Sequence, residues 1–263
     1  MITYPLALAD SATMLRRNLR RMRRYPSLTF FIAGIPVVLL LLFVYVFGGT
    51  LGAGLGGVAG GRAEYTAYVL PGILVITVAG AAQGTAISVA MDMAEGIIAR
   101  FRTMAVARAS VLTGHVIGSV IQTLLALAIV MAVAVLIGFR PTTGPAEWFA
   151  AVGVLTLAAV AVTWLSVALG MVSNSVETAS NLPMFLVLLP FLSSGFVPTD
   201  SMPDGLSWFA QNQPFTPVIE TVRGLLLGTP IGNSGLLAVA WCVAFSVVGY
   251  LWATRLYERD RAR

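Results

Sequence analysis

The chain alternates between long apolar runs and short polar or arginine-rich stretches. Six runs approach the roughly 20 residues that cross about 30 Å of hydrocarbon. They cover Leu28–Phe47, Val69–Val89, Leu112–Ile137, Trp148–Met171, Leu182–Val197 and Leu236–Ala253. Backbone amides and carbonyls inside lipid must pair within their own segment, so each run predicts a helix. The fifth run is short and carries Pro183 and Pro190, which predict a kink.

Ahead of the first run, Leu8, Ala12, Leu15, Leu19 and Met22 recur at helical spacing among six arginines. This predicts an amphipathic helix on a membrane surface, with Arg16, Arg20 and Arg23 on its polar side. The same arginines serve equally as a topology signal, and that origin leaves nucleic acid without a role. Residues 1–27 therefore form an interface helix and residues 28–263 a six-span membrane domain.

Composition agrees with this all-α integral membrane fold. Of 263 residues, 58% are hydrophobic and only 10% charged, where soluble domains carry about 25% charged residues. Mean hydropathy is +0.89. No signal-peptide pattern precedes the first run, which reads as a permanent span. With the N-terminus inside, thirteen arginines fall on the inner side and Arg62, Arg140 and Arg223 on the outer. The positive-inside rule then places both termini in the cytoplasm.

All sixteen basic residues are arginine. Without lysine there is no GxxxxGK[ST] loop to cradle phosphates, so the chain is not itself a P-loop ATPase. Gly52, Gly54 and Gly57 match GxGxxG by spacing, but in an outer loop with no βαβ unit. A lone Cys242 and a lone His115 exclude a disulfide and a multi-histidine metal site. Both read as packing residues. Asp92 and Glu95 lie at the inner end of the second span, and Glu177 lies in an inner loop. No charge sits deep in a span, where it costs roughly 2.5–3.5 kcal/mol. Proton relays and intramembrane hydrolysis lack their groups.

Two segments carry the remaining signal. In the inner segment 92–108, Ile97, Ile98 and Phe101 form an apolar patch flanked by Glu95, Gly96, Arg100 and Arg102. A short helix of this kind inserts into a partner's groove, or else rests on lipid as a connector. The outer segment 198–230 is too proline-broken to span and too apolar for a free loop. It predicts re-entrant short helices, with Trp208 at headgroup level. Glu220 and Arg223 stand i, i+3 and are placed to pair.

These segments also resemble a known family. The outer stretch Ser194–Gly195–Phe196–Val197–Pro198, continuing through Met202–Pro203, Trp208, Pro214, Glu220 and Arg223 to Gly228, is similar to the signature of type-2 ABC exporter permeases. The inner stretch Glu95–Gly114 resembles the daunorubicin/doxorubicin-resistance group. Two departures are Gln213, where an asparagine commonly precedes the proline, and Met104–Ala105, where a proline step is common.

The resemblance implies the rest of the machine. A second permease copy or homologue completes the membrane part, and two separate ABC ATP-binding subunits hold ATP and magnesium, with no cofactor in this chain. Glu95, Gly96, Ile97, Arg100, Phe101 and Arg102 become the coupling helix, and the N-terminal helix lies against the ATPase. The outer segment, with Gly195 and Pro198 at its start, caps the exit. The substrate class is a hydrophobic small molecule or lipid, moved out across a bacterial cytoplasmic membrane. Gln83, Phe185 and Phe191 are the candidates for the substrate path. A secondary multidrug or lipid transporter is the alternative; a membrane enzyme and a non-transport scaffold are further readings.

Overall fold

The computed structural model describes residues 24, 26–50, 62–96 and 108–259. The N-terminal arginines 16, 20 and 23, and Ile97, Arg100, Phe101 and Arg102, lie outside the described residues. All described elements are helical. Helix α1 (Pro26–Leu41) continues into a π-helical stretch, Leu42–Phe47. Helices α2 (Arg62–Ala94), α3 (Arg108–Leu136) and α4 (Pro145–Val172) follow. Then come the short α5 (Val176–Asn181) and α6 (Met184–Leu188), with a 3-10 turn at Leu189–Leu192. Helices α7 (Asp204–Asn212) and α8 (Phe215–Leu227) lead into α9 (Ser234–Arg259).

Five helices are long and apolar enough to cross a membrane: residues 32–50, α2, α3, α4 and α9. The chain is a multi-pass membrane protein. The expected fifth span differs. Its apolar stretch, Val176–Leu192, is shorter than a crossing helix and is broken. Proline supplies no amide donor and its ring crowds the preceding turn. Pro183 accordingly starts α6, and Pro190 sits in the 3-10 turn. The Ser193 hydroxyl donates to the Pro190 carbonyl, and the Gly195 amide donates to Ser193 Oγ at 3.1 Å, closing the segment end.

Helix α2 is the axis of the fold. Its apolar residues are buried nearly all round, as a helix enclosed by other helices requires. Helices α1, α3, α4 and α8 and the short α5 and α6 pack around it, and α9 lies mainly on α4. Glycines set three of these contacts. A Cβ on Gly72 would lie 2.9 Å from the Gly195 backbone, and one on Gly170 would lie 2.6 Å from the Ala86 carbonyl oxygen. A Cβ on Gly249 would lie 2.7 Å from the Trp164–Leu165 backbone. The outward faces of α1 and α9 remain apolar and exposed, with Phe30, Ile35, Leu236 and Val248 among them. That pattern suits lipid as solvent.

Candidate functional site

Two regions gather polar groups inside this apolar bundle, one at each end of α2. The first is at the α7–α8 end. Arg223, on α8, donates through Nη2 to the Ser194 carbonyl at 2.6 Å and to the Tyr68 carbonyl at 3.2 Å. Its guanidinium also stacks over the Tyr68 ring, 4.1 Å from the centroid. The Tyr68 hydroxyl donates to the same Ser194 carbonyl at 3.0 Å. Burial pulls the guanidinium below its ordinary value, opposed by Tyr68 and Glu220; starting so high, it stays charged. A planar donor fork that stacks on an aromatic ring is what the site uses, and lysine lacks it.

The rest of the outer motif is fastened in the same way. Phe196 packs between Phe43 and Phe191, at 4.7 and 5.1 Å between ring centroids. Gly195 lies against Gly72, where a side chain on either would collide. Gln213 is buried and donates to the Leu189 carbonyl at 3.1 Å, joining the α7–α8 junction to the end of the broken segment. Its exposed neighbour Asn212 bonds only back to Trp208 within α7. The departure from the family pattern thus falls on the buried, tethering position. Pro214 opens α8, and Gly228, at φ +72°, ends it with its amide on the Gly224 carbonyl. Trp208 is 68% exposed on α7. Pro198 precedes the turn Thr199–Ser201. Glu220 and Arg223 take different partners: Glu220 accepts the Ser234 hydroxyl at 2.7 Å, while Arg223 holds carbonyls. The two head groups thus take separate hydrogen-bond partners, while the Glu220 carboxylate still favours the charged guanidinium.

The second region is a cavity of about 510 Å³ towards the opposite end, walled by α1, α2, α3 and α6. Drug-sized pockets run from about 300 to 1,000 Å³. Helix α2 contributes Gly80, Gln83, Gly84, Ile87 and Ser88, one helical stripe. Helix α3 contributes His115, Gly118, Ser119 and Gln122, spaced i, i+3, i+4 and i+7. Ile32, Ile35 and Pro36 of α1 and Val187 of α6 complete an apolar wall. The hydroxyls of Thr85 and Ser119 bond each other across α2 and α3.

Sequence reading assigned His115 to packing. The structure places it in the cavity wall, with Nε2 3.1 Å from Asp92 Oδ2 and both residues buried. At this contact Nε2 makes no aligned hydrogen bond. Gln83 lines the cavity and donates to the Ser180 carbonyl at 2.7 Å, holding α5 in place. Phe185 and Phe191 do not line it; Phe185 is 51% exposed and Phe191 stacks on Phe196. At the end of α2, Glu95 is exposed and Gly96, at φ +69°, turns the chain away. Among the described residues, no group of three or more His, Cys, Asp or Glu is arranged to hold a metal ion.

Comparison with known proteins places this geometry in context. Residues 11–227 match the model of the ABC-2 type transporter family. The chain is 30% identical to the daunorubicin resistance ABC transporter permease protein DrrB1 of Streptomyces coeruleorubidus, over 97% of this chain and 88% of that one. It is 28% identical to the probable doxorubicin resistance ABC transporter permease protein DrrC of Mycobacterium tuberculosis, over 62% of this chain and 59% of that one. Nodulation protein J of Rhizobium leguminosarum bv. viciae is 29% identical, over 84% and 85% of the two chains. The match takes in the basic N-terminal segment, the inner stretch and the outer motif that Arg223 and Tyr68 hold against α2, and on that extent the chain belongs to the ABC-2 type transporter family.

Proposed function

We propose that this chain is the membrane-spanning subunit of an ATP-driven exporter that moves a hydrophobic or amphiphilic substrate, such as a drug or lipid, out of the cytoplasm or inner leaflet. The observation that carries the reading is the unbroken family match over residues 11–227. The names of two relatives, which refer to daunorubicin and doxorubicin resistance, support the substrate class. A second permease copy or homologue completes the membrane part, and separate subunits bind ATP and magnesium. The arginine distribution supports a bacterial plasma-membrane topology with both termini cytoplasmic. The α7–α8 end then faces outward, with these helices re-entrant and the broken Val176–Leu192 segment completing a sixth crossing.

In this mechanism the chain performs no bond chemistry. ATP closes the partner ATPases, which push on the Glu95–Met104 segment, and the spans rearrange by alternating access or lateral extrusion. Motion reaches α2 directly, because Glu95 and Gly96 are its continuation. Helix α2 in turn carries both the cavity and the outer clamp.

The buried Asp92–His115 contact leans towards a secondary transporter, which needs ionisable groups inside its spans. It sits at the end of α2 and not at mid-depth, so the exporter reading is preferred. Purification from native membranes in gentle detergent, followed by mass spectrometry, separates the two. A stoichiometric partner carrying GxxxxGK[ST] is expected. Recovery of the chain without an ATPase in every detergent tried overturns the exporter reading.

A further inference from the structure

Helix α1 changes character along its length. It is α-helical from Pro26 to Leu41 and π-helical over Leu42–Phe47. A π stretch is closed by i→i+5 bonds and holds one residue more than the α-helix it interrupts; such insertions are rare and recur at functional sites. The burial pattern shows what the surplus residue does. Pro36, Leu40, Val44 and Gly48 are the buried positions here, four residues apart each time. At about 100° per residue, an α-helix carries a four-residue repeat about 40° further round at each step. The wider π turn takes up that drift and keeps Val44 and Gly48 on the same side as Leu40. Leu42, Tyr45, Val46 and Phe47 are exposed, Val46 most of all.

Both halves of the helix are fixed to other parts of the molecule. On the α-helical half, Ile32, Ile35 and Pro36 wall the cavity. On the π half, the Phe43 ring packs on Phe196, 4.7 Å between centroids. Arg62, the first residue of α2, sets its guanidinium over the Tyr45 ring at 5.0 Å. Its stem lies against Gly48, where a Cβ would sit 3.4 Å from it. Closing the π stretch into an α-helix shifts one half past the other by one residue, about 1.5 Å along the axis and about 100° around it. An all-α helix of this length therefore cannot keep both the cavity wall and the contacts to Phe196 and Arg62.

We propose that the π stretch is a register switch: α1 exchanges between this π form and an all-α form, and the exchange ties the cavity wall to the segment around Phe196. In the π form both ends are engaged. In the all-α form Phe43 leaves Phe196, and Gly195, next in the chain, loses a support that holds it on Gly72. Helix α2 connects the switch to the far end of the molecule, because it begins at Arg62 and ends beside Glu95. The trigger, a movement of α2 driven by ATP, rests on the exporter reading. The two registers of α1 do not.

Deleting Val46 removes the surplus residue at an exposed position. Leu40, Val44 and Gly48 then stand four and three apart, which an α-helix places on one side. The variant keeps both sets of contacts and has no second register. Its melting, followed with a thiol-reactive dye at the buried Cys242, is expected within about 3 °C of wild type or above it. A larger drop overturns the proposal. The registers are read by electron spin resonance on the full chain in lipid nanodiscs. Spin labels at Phe30→Cys and Thr50→Cys, both exposed, in a Cys242→Ala background span about 30 Å of helix. Two distances at least about 2 Å apart are expected with Val46 present or changed to alanine, and one after its deletion. A single distance in the parent, or the same pair of distances in the deletion variant, overturns the proposal. In the complex purified with its ATPase, ATP with orthovanadate is expected to shift the parent towards the second distance and to leave the deletion variant unchanged. Populations indifferent to nucleotide overturn the trigger and leave the exporter reading standing. If the chain purifies with no ATPase, the exporter reading falls, and the nanodisc distances alone decide the switch.

Discussion

Replacing Arg223 by methionine isolates what the outer clamp contributes, because methionine keeps an unbranched stem in the same space and removes the charge and the donors. Arg223 makes two charge-assisted bonds to carbonyls, at 2.6 and 3.2 Å. Each such bond contributes about 1.5–3 kcal/mol. The stack on Tyr68 adds about 0.5–2 kcal/mol. Two effects work the other way. The Ser194 carbonyl keeps the Tyr68 hydroxyl at 3.0 Å, so it is not orphaned. Removing a part-buried cation also relieves its desolvation, which costs several kcal/mol. The net loss expected is about 2–3 kcal/mol, and at about 2–4 °C per kcal/mol it lowers Tm by roughly 5–10 °C. Cys242 supplies the assay: it is the chain's single cysteine and only 4% exposed, so a thiol-reactive dye reports the opening of the bundle at α9. Arg223→Lys recovers less than half of the loss, since a point charge cannot fork to two carbonyls and stack at once. A Tm within about 2 °C of wild type in Arg223→Met, by this measure, refutes the claim that the clamp holds the outer segment to α2.

Other positions give contrasting expectations. Gly170→Ala forces a Cβ to 2.6 Å from the Ala86 carbonyl oxygen, and is expected to cost about 1–3 kcal/mol as α2 and α4 separate; Gly153→Ala, with open space around it, is expected to leave Tm unchanged by the same dye assay. Gln213→Ala removes the tether to Leu189 and lowers Tm by about 1 kcal/mol equivalent, whereas Asn212→Ala, on the exposed face of α7, stays within about 0.5 kcal/mol. Phe101→Ala is expected to lower ATP-coupled transport while the amount of protein in the membrane stays constant; transport at the wild-type rate removes Phe101 from the coupling role.

Much of this architecture is legible from single positions. Hydropathy alone locates α2, α3, α4 and α9, because a span must be apolar throughout and helical throughout. Pro183 and Pro190 mark where the fifth apolar run fails, since a missing amide donor is a local property. Close contacts between distant backbones are not local. Nothing in the order of residues says that Gly72 meets Gly195, or that Gly170 meets Ala86, while Gly80 and Gly84 face open space. A glycine in a span reads the same in all these settings until its neighbour is known.

The cavity shows what a joint reading of two helices adds. Taken one at a time, Gln83 is an isolated polar residue in α2, and His115 a lone histidine near the start of α3. Helices α2 and α3 follow one another in the chain and pack together, and each carries a stripe of small and polar residues at helical spacing: Gly80, Gln83, Gly84 and Ser88 on one, His115, Gly118, Ser119 and Gln122 on the other. Two such stripes on consecutive spans face each other more economically than either faces lipid, because amides and hydroxyls in hydrocarbon without partners cost roughly 2–7 kcal/mol each. Pairing the stripes would have set His115 beside the polar end of α2, where Asp92 stands 3.1 Å away. The signal was therefore present in the sequence, but as a relation between helices and not as a motif within one.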